Sequence, residues 1–176
     1  ATPPEGVEAD VGDVLRDVLE ELRPSAEATS TSLQLEPPTP SMRVACSPGV
    51  LISIVSNLVG NAIKHMDAAA IRRITVRTSD QRSAVRIEVC DTGPGVPPSE
   101  RERIFDPYAR AASAGVPGLG LGLATVRRLA EAHGGRVGVS PNEPTGSIFW
   151  FELPKSATPE RQSLLRLARA WLPRMG

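Results

Sequence analysis

Apolar positions recur at helical intervals in three stretches of the chain. The first covers 11–24, where Pro24 is expected to kink or end the helix. The second covers 48–66. The third covers 123–132 and runs into the pair Gly134-Gly135, which is typical of a helix C-terminus. The pattern therefore predicts three helices, each with one apolar face.

Short segments in which apolar and polar residues alternate lie between these helices and after them, as expected of β-strands. They cover 33–35, 42–46, 74–78, 84–90, 136–140 and 147–153. Polar turn residues separate the third segment from the fourth and the fifth from the sixth, which predicts two antiparallel hairpins. The order of elements predicts an α/β fold, a two-layer sandwich in which a mixed, mostly antiparallel sheet packs on about three helices.

The composition narrows the classes of function. The 176 residues fit one domain, and 20 basic against 20 acidic side chains give a formal net charge of zero. That balance excludes the basic surface of a typical nucleic-acid-binding domain, and 3% aromatic residues argue against base-stacking platforms. No apolar run is long enough to span a membrane. We predict a linker remnant over 1–10, a domain over 11–155 and an extension over 156–176.

The chain starts without methionine and shows no signal-peptide pattern, so we expect a piece of a longer, cytoplasmic protein, with any membrane anchor elsewhere in the parent. Its two cysteines, Cys46 and Cys90, have neither metal-ligand spacing nor enough partners for a disulfide framework. A reducing compartment is therefore expected.

The helix over 48–66 begins with Ser47 as a cap and proline in its first turn, and it carries an unusual polar strip. The strip consists of Asn57, Asn61, Lys64 and His65, at the edge of the apolar arc. Asparagine is a poor helix former, so two of them one turn apart need a reason. One interpretation is that they face a ligand cleft. The alternative is that they form a solvated face or that their amides cap neighbouring loops.

A carboxylate followed by glycines comes directly after the strand over 84–90. In the run 91–95, which reads Asp-Thr-Gly-Pro-Gly, Asp91 could accept a hydrogen bond from a ligand amine while Gly93 and Gly95 let the ligand approach the backbone. An ordinary turn remains the alternative.

A second glycine motif, 118–123, leads straight into the third helix with the residues Gly-Leu-Gly-Leu-Gly-Leu. Consecutive amides at a helix N-terminus form an anion site, which favours phosphate binding over a simple hinge. The spacing matches neither the phosphate-binding loop of nucleoside triphosphatases nor the dinucleotide-binding fingerprint. Glycine and proline are concentrated from the first glycine motif to this one, almost without periodicity.

In combination these motifs resemble the ATP-binding catalytic domain of bacterial sensor histidine kinases. That domain has the Bergerat fold, in the family shared with gyrase, the Hsp90 chaperone and MutL. The resemblance spans about 11–155, with the family's boxes in the family's order. They are the N box at 57–65, the first glycine box at 91–95, the F box at 104–110, the second glycine box at 118–123, and a tail formed by 133–135 and 146–149.

The resemblance implies Mg-ATP as the ligand and a role for each box. Asp91 would hold the adenine amino group, with Gly95 and Ser147 near the base. Asn61 would coordinate Mg²⁺, which bridges the phosphates. The implied nucleotide-binding set is Asn57, Asn61, Lys64, His65, Asp91, Gly93, Gly95, Phe105, Tyr108, Arg110, Gly118, Leu119, Gly120, Leu121, Gly122, Leu123 and Ser147.

Within that set, Lys64 and Arg110 would face phosphate oxygens, and the amides over 120–123 would cradle them. Phe105 and Tyr108 would anchor the loop over 96–119, which would act as a flexible lid over ATP.

Asn57 and Lys64 are the candidate catalytic residues. ATP-hydrolysing members of the family carry glutamate at the position of Asn57 to activate water, and an amide cannot act as that base. The resemblance therefore implies transfer to histidine rather than hydrolysis. The family's acceptor histidine stands in a separate dimerisation domain, and neither His65 nor His133 has that setting.

Three partners follow from the resemblance: the histidine-bearing dimerisation domain of the parent kinase, a cognate response regulator, and a second copy only in the full-length protein. A nucleotide-binding pseudokinase that does not transfer phosphate is the alternative. An ATP-hydrolysing mechanoenzyme is a weaker one.

The extension contains an apolar stripe at helical spacing, flanked by arginines. The stripe consists of Leu164, Leu165, Leu167, Ala168, Trp171 and Leu172, with Arg161, Arg166, Arg169 and Arg174 around it. Such a basic amphipathic helix can bind a membrane or a partner, or simply pack on its own domain.

Overall fold

Seven strands and three α-helices follow one another in the computed structural model, which describes residues 7–37, 41–66, 69–109 and 121–157. In chain order they are β1 (Ala9–Asp10), α1 (Val11–Ala28), β2 (Ser32–Leu35), β3 (Arg43–Val44), α2 (Pro48–Lys64), β4 (Arg73–Asp80), β5 (Ala84–Asp91), α3 (Gly122–Ala132), β6 (Arg136–Pro141) and β7 (Ser147–Pro154). A single 3₁₀ turn covers Arg103–Phe105. The predicted extension from residue 158 onward lies outside the described residues.

Five strands form the main sheet, in the order β2-β4-β5-β7-β6. Strand β2 runs parallel to β4, and the other three pairs are antiparallel. The two predicted hairpins, β4–β5 and β6–β7, are both present. Helix α2 packs between α1 and α3 and also contacts β4 and β5. The predicted two-layer α/β sandwich with a mixed, mostly antiparallel sheet is thus confirmed.

Helix α1 continues through Pro24 to Ala28, so of the two outcomes expected at this proline, the end of the helix is wrong. The N-cap is Asp10, whose carboxylate accepts a hydrogen bond from the Asp13 amide at 3.0 Å. Pro24 is exposed, and Ala26 beyond it is buried against the core. The packing of the last turn therefore offsets the backbone hydrogen bond that proline removes.

Helix α2 forms the centre of the core and sets the position of the N box. Its N-cap is Ser47, whose hydroxyl accepts from the Val50 amide at 3.3 Å, and Pro48 occupies the first turn. One face is buried against the sheet and the other helices, and it consists of Leu51, Ile54, Val55, Leu58, Val59, Ala62 and Ile63. The helix ends at Lys64, two residues before the predicted end.

A small second sheet joins the two ends of the domain. Strand β1 pairs antiparallel with β3, and Ala9 is buried there, although the composition predicts a linker through residue 10. The β3 strand covers only two residues of the predicted segment 42–46. The Glu8 carboxylate contacts both Arg43 and Ser156, so the beginning and the end of the described fold are tied together.

The sheet face opposite the helices is covered by charged side chains and one indole. The buried Glu152 accepts from Arg86 at 2.9 Å and from Arg136 at 2.6 Å, and these hydrogen bonds lower the pKa of Glu152. Both guanidinium groups also lie over the Trp150 ring. Gly138 makes this possible, since a Cβ there would overlap with the indole. In the described ranges no helix is long and apolar enough to cross a membrane.

Candidate nucleotide site

Asp91 ends β5 and is the buried carboxylate of the candidate site. Its side chain Oδ1 accepts hydrogen bonds from the Gly93 amide at 2.9 Å and the Ser147 amide at 3.2 Å. No hydrogen bond from a described residue reaches the other oxygen, Oδ2, and that atom is not sealed from solvent. The two amides therefore fix the carboxylate so that one oxygen remains for a ligand donor.

Burial raises the pKa of Asp91 above its ordinary value of 3.8, and the hydrogen bonds from Gly93 and Ser147 partly oppose that rise. An ionised carboxylate in such surroundings is incompletely solvated. A ligand N–H group would supply the missing hydrogen bond, which is why a strongly buried, half-satisfied aspartate is typical of a recognition site.

The backbone around Asp91 is packed too closely for larger residues. A Cβ at Gly93 would lie 3.0 Å from Asp91 Oδ1 and 3.1 Å from the His65 carbonyl oxygen. Gly95 has a φ of +80°, which favours glycine. The first glycine box is thus folded against the C-terminal end of the N box.

The polar strip of α2 lies along the same side of the molecule. Asn57 and Asn61 are half-buried, Lys64 is exposed, and His65 caps the helix. Burial, followed by the charge of Lys64, lowers the pKa of His65, so its imidazole is neutral at pH 7. A Cβ at Gly122 would lie 3.0 Å from Asn57 Oδ1. The N box therefore adjoins the first glycine box at one end and the second at the other.

Helix α3 begins at Gly122 without a capping side chain. Its N-terminal amides lack intrahelical partners and carry the positive end of the helix dipole, next to Asn57. Leu121 and Leu123 flank this end. Arg110, Gly118, Leu119 and Gly120 lie outside the described residues, so their roles stay predictions.

The F box is anchored by its first aromatic residue. Phe105 is buried and packs edge-to-face on Phe149, with 6.3 Å between ring centroids. Tyr108 is 72% exposed and has a φ of +62°, so within the described structure it does not share the anchoring expected of both rings.

Arg127 on α3 also holds the F box. Its guanidinium lies 5.2 Å from the Phe105 ring centroid, 3.0 Å from Asp106 Oδ1 and 3.1 Å from the Glu102 carbonyl oxygen. Three different contacts thus converge on the segment that leads into the predicted lid.

We expect Arg127→Met to destabilise the domain by about 1–2 kcal/mol, the sum of a cation–π contact, a partly exposed ion pair and one hydrogen bond. The loss would be measured by urea unfolding, together with faster amide exchange over 102–106. Arg128→Met is the matched control, since Arg128 is exposed on the same helix. Equal effects of the two substitutions would contradict the role given to Arg127.

The described residues contain no group of three His, Cys, Asp or Glu side chains that could hold a metal ion. A magnesium site here would therefore depend on phosphate oxygens and few protein ligands, which is the usual pattern for Mg²⁺. The half-buried Asn61 fits this, because its carboxamide oxygen is a hard ligand for the ion. Burial raises the pKa of Cys46 and of Cys90 to about 11, so neither thiol is a candidate nucleophile.

Two side chains that the sequence analysis did not select contact the first glycine box. Asn142 donates to the Asp91 carbonyl oxygen at 2.8 Å, and the Thr145 hydroxyl donates to the Gly93 carbonyl oxygen at 3.0 Å. Both belong to the β6–β7 turn. Their only sequence signal is a polar turn before Gly146, which any hairpin could have.

A family model decides the classification of the chain. Residues 47–157 match the model described as "Histidine kinase-, DNA gyrase B-, and HSP90-like ATPase". This chain belongs to that family. The predicted resemblance is confirmed, and the matched range includes all the boxes named above.

Members of this ATPase family that resemble the chain in sequence include sensor histidine kinase AruS of Pseudomonas aeruginosa. It is 37% identical over 159 residues, which cover 85% of this chain and 16% of AruS. The chain spans less than half the length of the curated relatives it matches. It is homologous to the catalytic domains of sensor histidine kinases.

Solved structures of histidine kinases are also similar to the chain. Full-length ShkA in complex with AMPPNP matches with a TM-score of 0.75 and 35% identity, over 89% of this chain and 33% of ShkA. Histidine kinase ThkA in complex with response regulator protein TrrA matches with a TM-score of 0.70 and 27% identity, over 88% of this chain and 42% of that one.

Proposed function

We propose that this chain is the ATP-binding catalytic domain of a two-component sensor histidine kinase. It binds Mg-ATP and transfers the γ-phosphoryl group to a histidine on a separate dimerisation domain of the parent protein. The observation that carries the proposal is the buried Asp91, whose free oxygen belongs to the first glycine box, next to the C-terminal end of the N box. The likeness to AMPPNP-bound ShkA supports it.

Asp91 recognises the adenine base. Oδ2 accepts a hydrogen bond from the 6-amino group, while Gly93 and Gly95 let the loop after Asp91 pack closely enough to hold the carboxylate in place. Ser147 acts through its amide, which already holds Oδ1. A purine with a 6-oxo group presents an acceptor instead of a donor and binds poorly for that reason.

The triphosphate lies between α2 and the N-terminus of α3. The free amides at Gly122 and Leu123 face phosphate oxygens, and the exposed Lys64 adds a positive charge. Asn61 would hold Mg²⁺ through its side-chain oxygen, and the bound ion would neutralise phosphate charge. Arg110 and the run 118–120 complete the phosphate site, and His65 contributes as a neutral imidazole.

Asn57 favours transfer over hydrolysis. Its Nδ2 donates to the Ser53 carbonyl oxygen at 2.8 Å, and its Oδ1 faces Gly122, so the side chain is fixed and has no basic atom at neutral pH. An imidazole acceptor needs little activation because it is already nucleophilic.

The acceptor histidine lies outside this chain. His133 Nδ1 is 2.8 Å from the Leu129 carbonyl oxygen at the far end of α3, and His65 is half-buried beside the first glycine box. Neither is placed to receive a phosphoryl group from a nucleotide held at α2 and α3. The dimerisation domain supplies the acceptor, and a response regulator receives the phosphoryl group afterwards.

The proposal is tested by mixing this chain with γ-labelled Mg-ATP and the dimerisation domain of its parent. Acid-labile, base-stable label on the dimerisation domain is the expected result, and a variant of that domain without its acceptor histidine is the control. Binding of ATP without any transfer would favour the pseudokinase, and release of phosphate without labelled protein would favour a hydrolase.

We expect Asn61→Ala to abolish the Mg²⁺-dependent part of ATP affinity and to reduce transfer at least about 100-fold, since Mg²⁺ loses its protein ligand. Calorimetric titrations with and without Mg²⁺ measure the first effect. Gln81→Ala, which removes an exposed amide at the β4–β5 turn, is the control. An unchanged Mg²⁺ dependence would remove Asn61 from the metal site.

A further inference from the structure

The turn between β6 and β7 contacts the end of β5 and the loop that follows Asp91. Asn142 Nδ2 donates to the Asp91 carbonyl oxygen at 2.8 Å, and Thr145 Oγ1 donates to the Gly93 carbonyl oxygen at 3.0 Å. A Cβ at Gly95 would lie 3.2 Å from the Gly146 carbonyl oxygen. The turn therefore touches this loop at three places along its length.

These side-chain contacts are not needed to close the hairpin. The Asn142 amide donates to the Gly146 carbonyl oxygen at 3.0 Å, and Pro141 pairs with Ser147 in the ladder, so the backbone closes the turn without either side chain. Asn142 instead reaches across to the carbonyl of Asp91, the last residue of β5, and Thr145 reaches the carbonyl of Gly93 in the loop beyond the strand.

The opposite side of the same loop is held by β4. The Arg73 amide donates to Thr92 Oγ1 at 2.9 Å, the Thr92 amide donates to the Arg73 carbonyl oxygen at 3.2 Å, and the Thr92 hydroxyl contacts the Ile71 carbonyl oxygen. The loop is thus fixed from both sides. On the side of the β6–β7 turn, Ser147, the first residue of β7, also donates its amide to Asp91 Oδ1.

We infer that Asn142 and Thr145 are positioning residues for purine recognition, which keep the loop after Asp91 in the geometry that presents Oδ2 to the 6-amino group. This inference rests on the proposed ATP-binding function. Among the described residues, neither side chain forms a hydrogen bond to α2 or α3, so we expect their effect to be confined to base recognition.

The test compares ATP with ITP, which differs from ATP in carrying a 6-oxo group in place of the 6-amino group. The dissociation constants of both nucleotides are measured with Mg²⁺ for the wild type, Thr145→Val and Asn142→Ala. Thr145→Ser keeps the hydroxyl and is the rescue variant. Ser83→Ala removes an exposed hydroxyl from the distant β4–β5 turn and is the control.

Thr145→Val and Asn142→Ala should each weaken ATP binding about 3- to 10-fold, the worth of one side-chain hydrogen bond. ITP binding should change less, so the preference for ATP falls. Thr145→Ser and Ser83→Ala should match the wild type in both affinities. The thermal unfolding midpoint of Thr145→Val should stay close to that of the wild type because Thr145 is exposed, and a small decrease is expected for Asn142→Ala because Asn142 is half-buried.

Equal weakening of ATP and ITP would overturn the inference, since the turn would then support the whole site rather than the base. Unchanged ATP affinity in both variants would overturn it as well, while the wild-type titration still upheld the proposed function. Failure of the wild type to bind ATP would overturn the proposed function, and this inference with it.

Discussion

Asp91→Asn should weaken ATP binding about 100-fold or more while the domain stays folded. Asparagine has the same shape, and its side-chain oxygen can accept the same two hydrogen bonds from Gly93 and Ser147. Its NH₂ group then occupies the position of Oδ2. The 6-amino group of adenine would meet a donor where the wild type offers an acceptor, so the hydrogen bond is lost and two donors face each other.

The stability of this variant follows from the direction of the pKa shift. Burial raises the pKa of Asp91 in the folded state above the ordinary 3.8 of the unfolded chain. Stability therefore falls as pH rises from 3.8 through the folded-state pKa, and the ionised carboxylate lowers stability throughout the neutral range. Asparagine carries no such charge. At pH 7 the free energy of unfolding of Asp91→Asn should equal or exceed that of the wild type.

The specificity should also move toward the 6-oxo purine. The asparagine NH₂ group can donate to the 6-oxo oxygen of ITP, so the variant should bind ITP more tightly than the wild type does. Calorimetric titration with both nucleotides, and urea unfolding of both proteins, would measure these effects. Asp17→Asn, on the exposed face of α1, is the matched control. ATP affinity within threefold of the wild type, roughly 0.7 kcal/mol, would remove Asp91 from base recognition.

The elements of the fold were predictable wherever a local signal marks their ends. Ser47 and Pro48 start α2, and Gly134 with a φ of +74° follows α3, both as the capping pattern predicts. Strand β1 has no such signal, because two residues show no alternation and only their pairing with β3 makes them a strand. Helix α1 continues past Pro24 for a related reason. The burial of Ala26, which stabilises the last turn, is a tertiary contact and leaves no local signal in the sequence.

The residues of the candidate site likewise fall into those with a local sequence signal and those that only tertiary contacts reveal. Residues whose chemistry is needed by a ligand, such as Asp91 and Asn61, stand out by type and spacing. Asn142, Thr145 and Arg127 act on backbone carbonyls or on an aromatic ring, and many residue types elsewhere in a sequence make such contacts. Their partners are distant in sequence, so only the folded chain reveals them.

Gly146→Ala should destabilise the domain by about 3 kcal/mol or more and remove measurable ATP binding. A Cβ at this position would overlap with the backbone carbonyl of Asp91, and a φ of +111° is strained for any L-residue with a side chain. The carbonyl cannot rotate away cheaply, because it accepts from Asn142 and its own residue carries the adenine-binding carboxylate. Relief of the overlap therefore has to displace either β7 or Asp91.

Gly60→Ala is the matched control for this substitution. Gly60 lies within α2 and a Cβ there meets nothing within 4 Å, so alanine should be neutral or should stabilise the helix by up to about 1 kcal/mol. Urea unfolding of the two variants would separate the close approach at Gly146 from the general cost of adding a methyl group. If Gly146→Ala unfolded with the wild-type free energy, the packing of the β6–β7 turn on Asp91 would not be a constraint on the site.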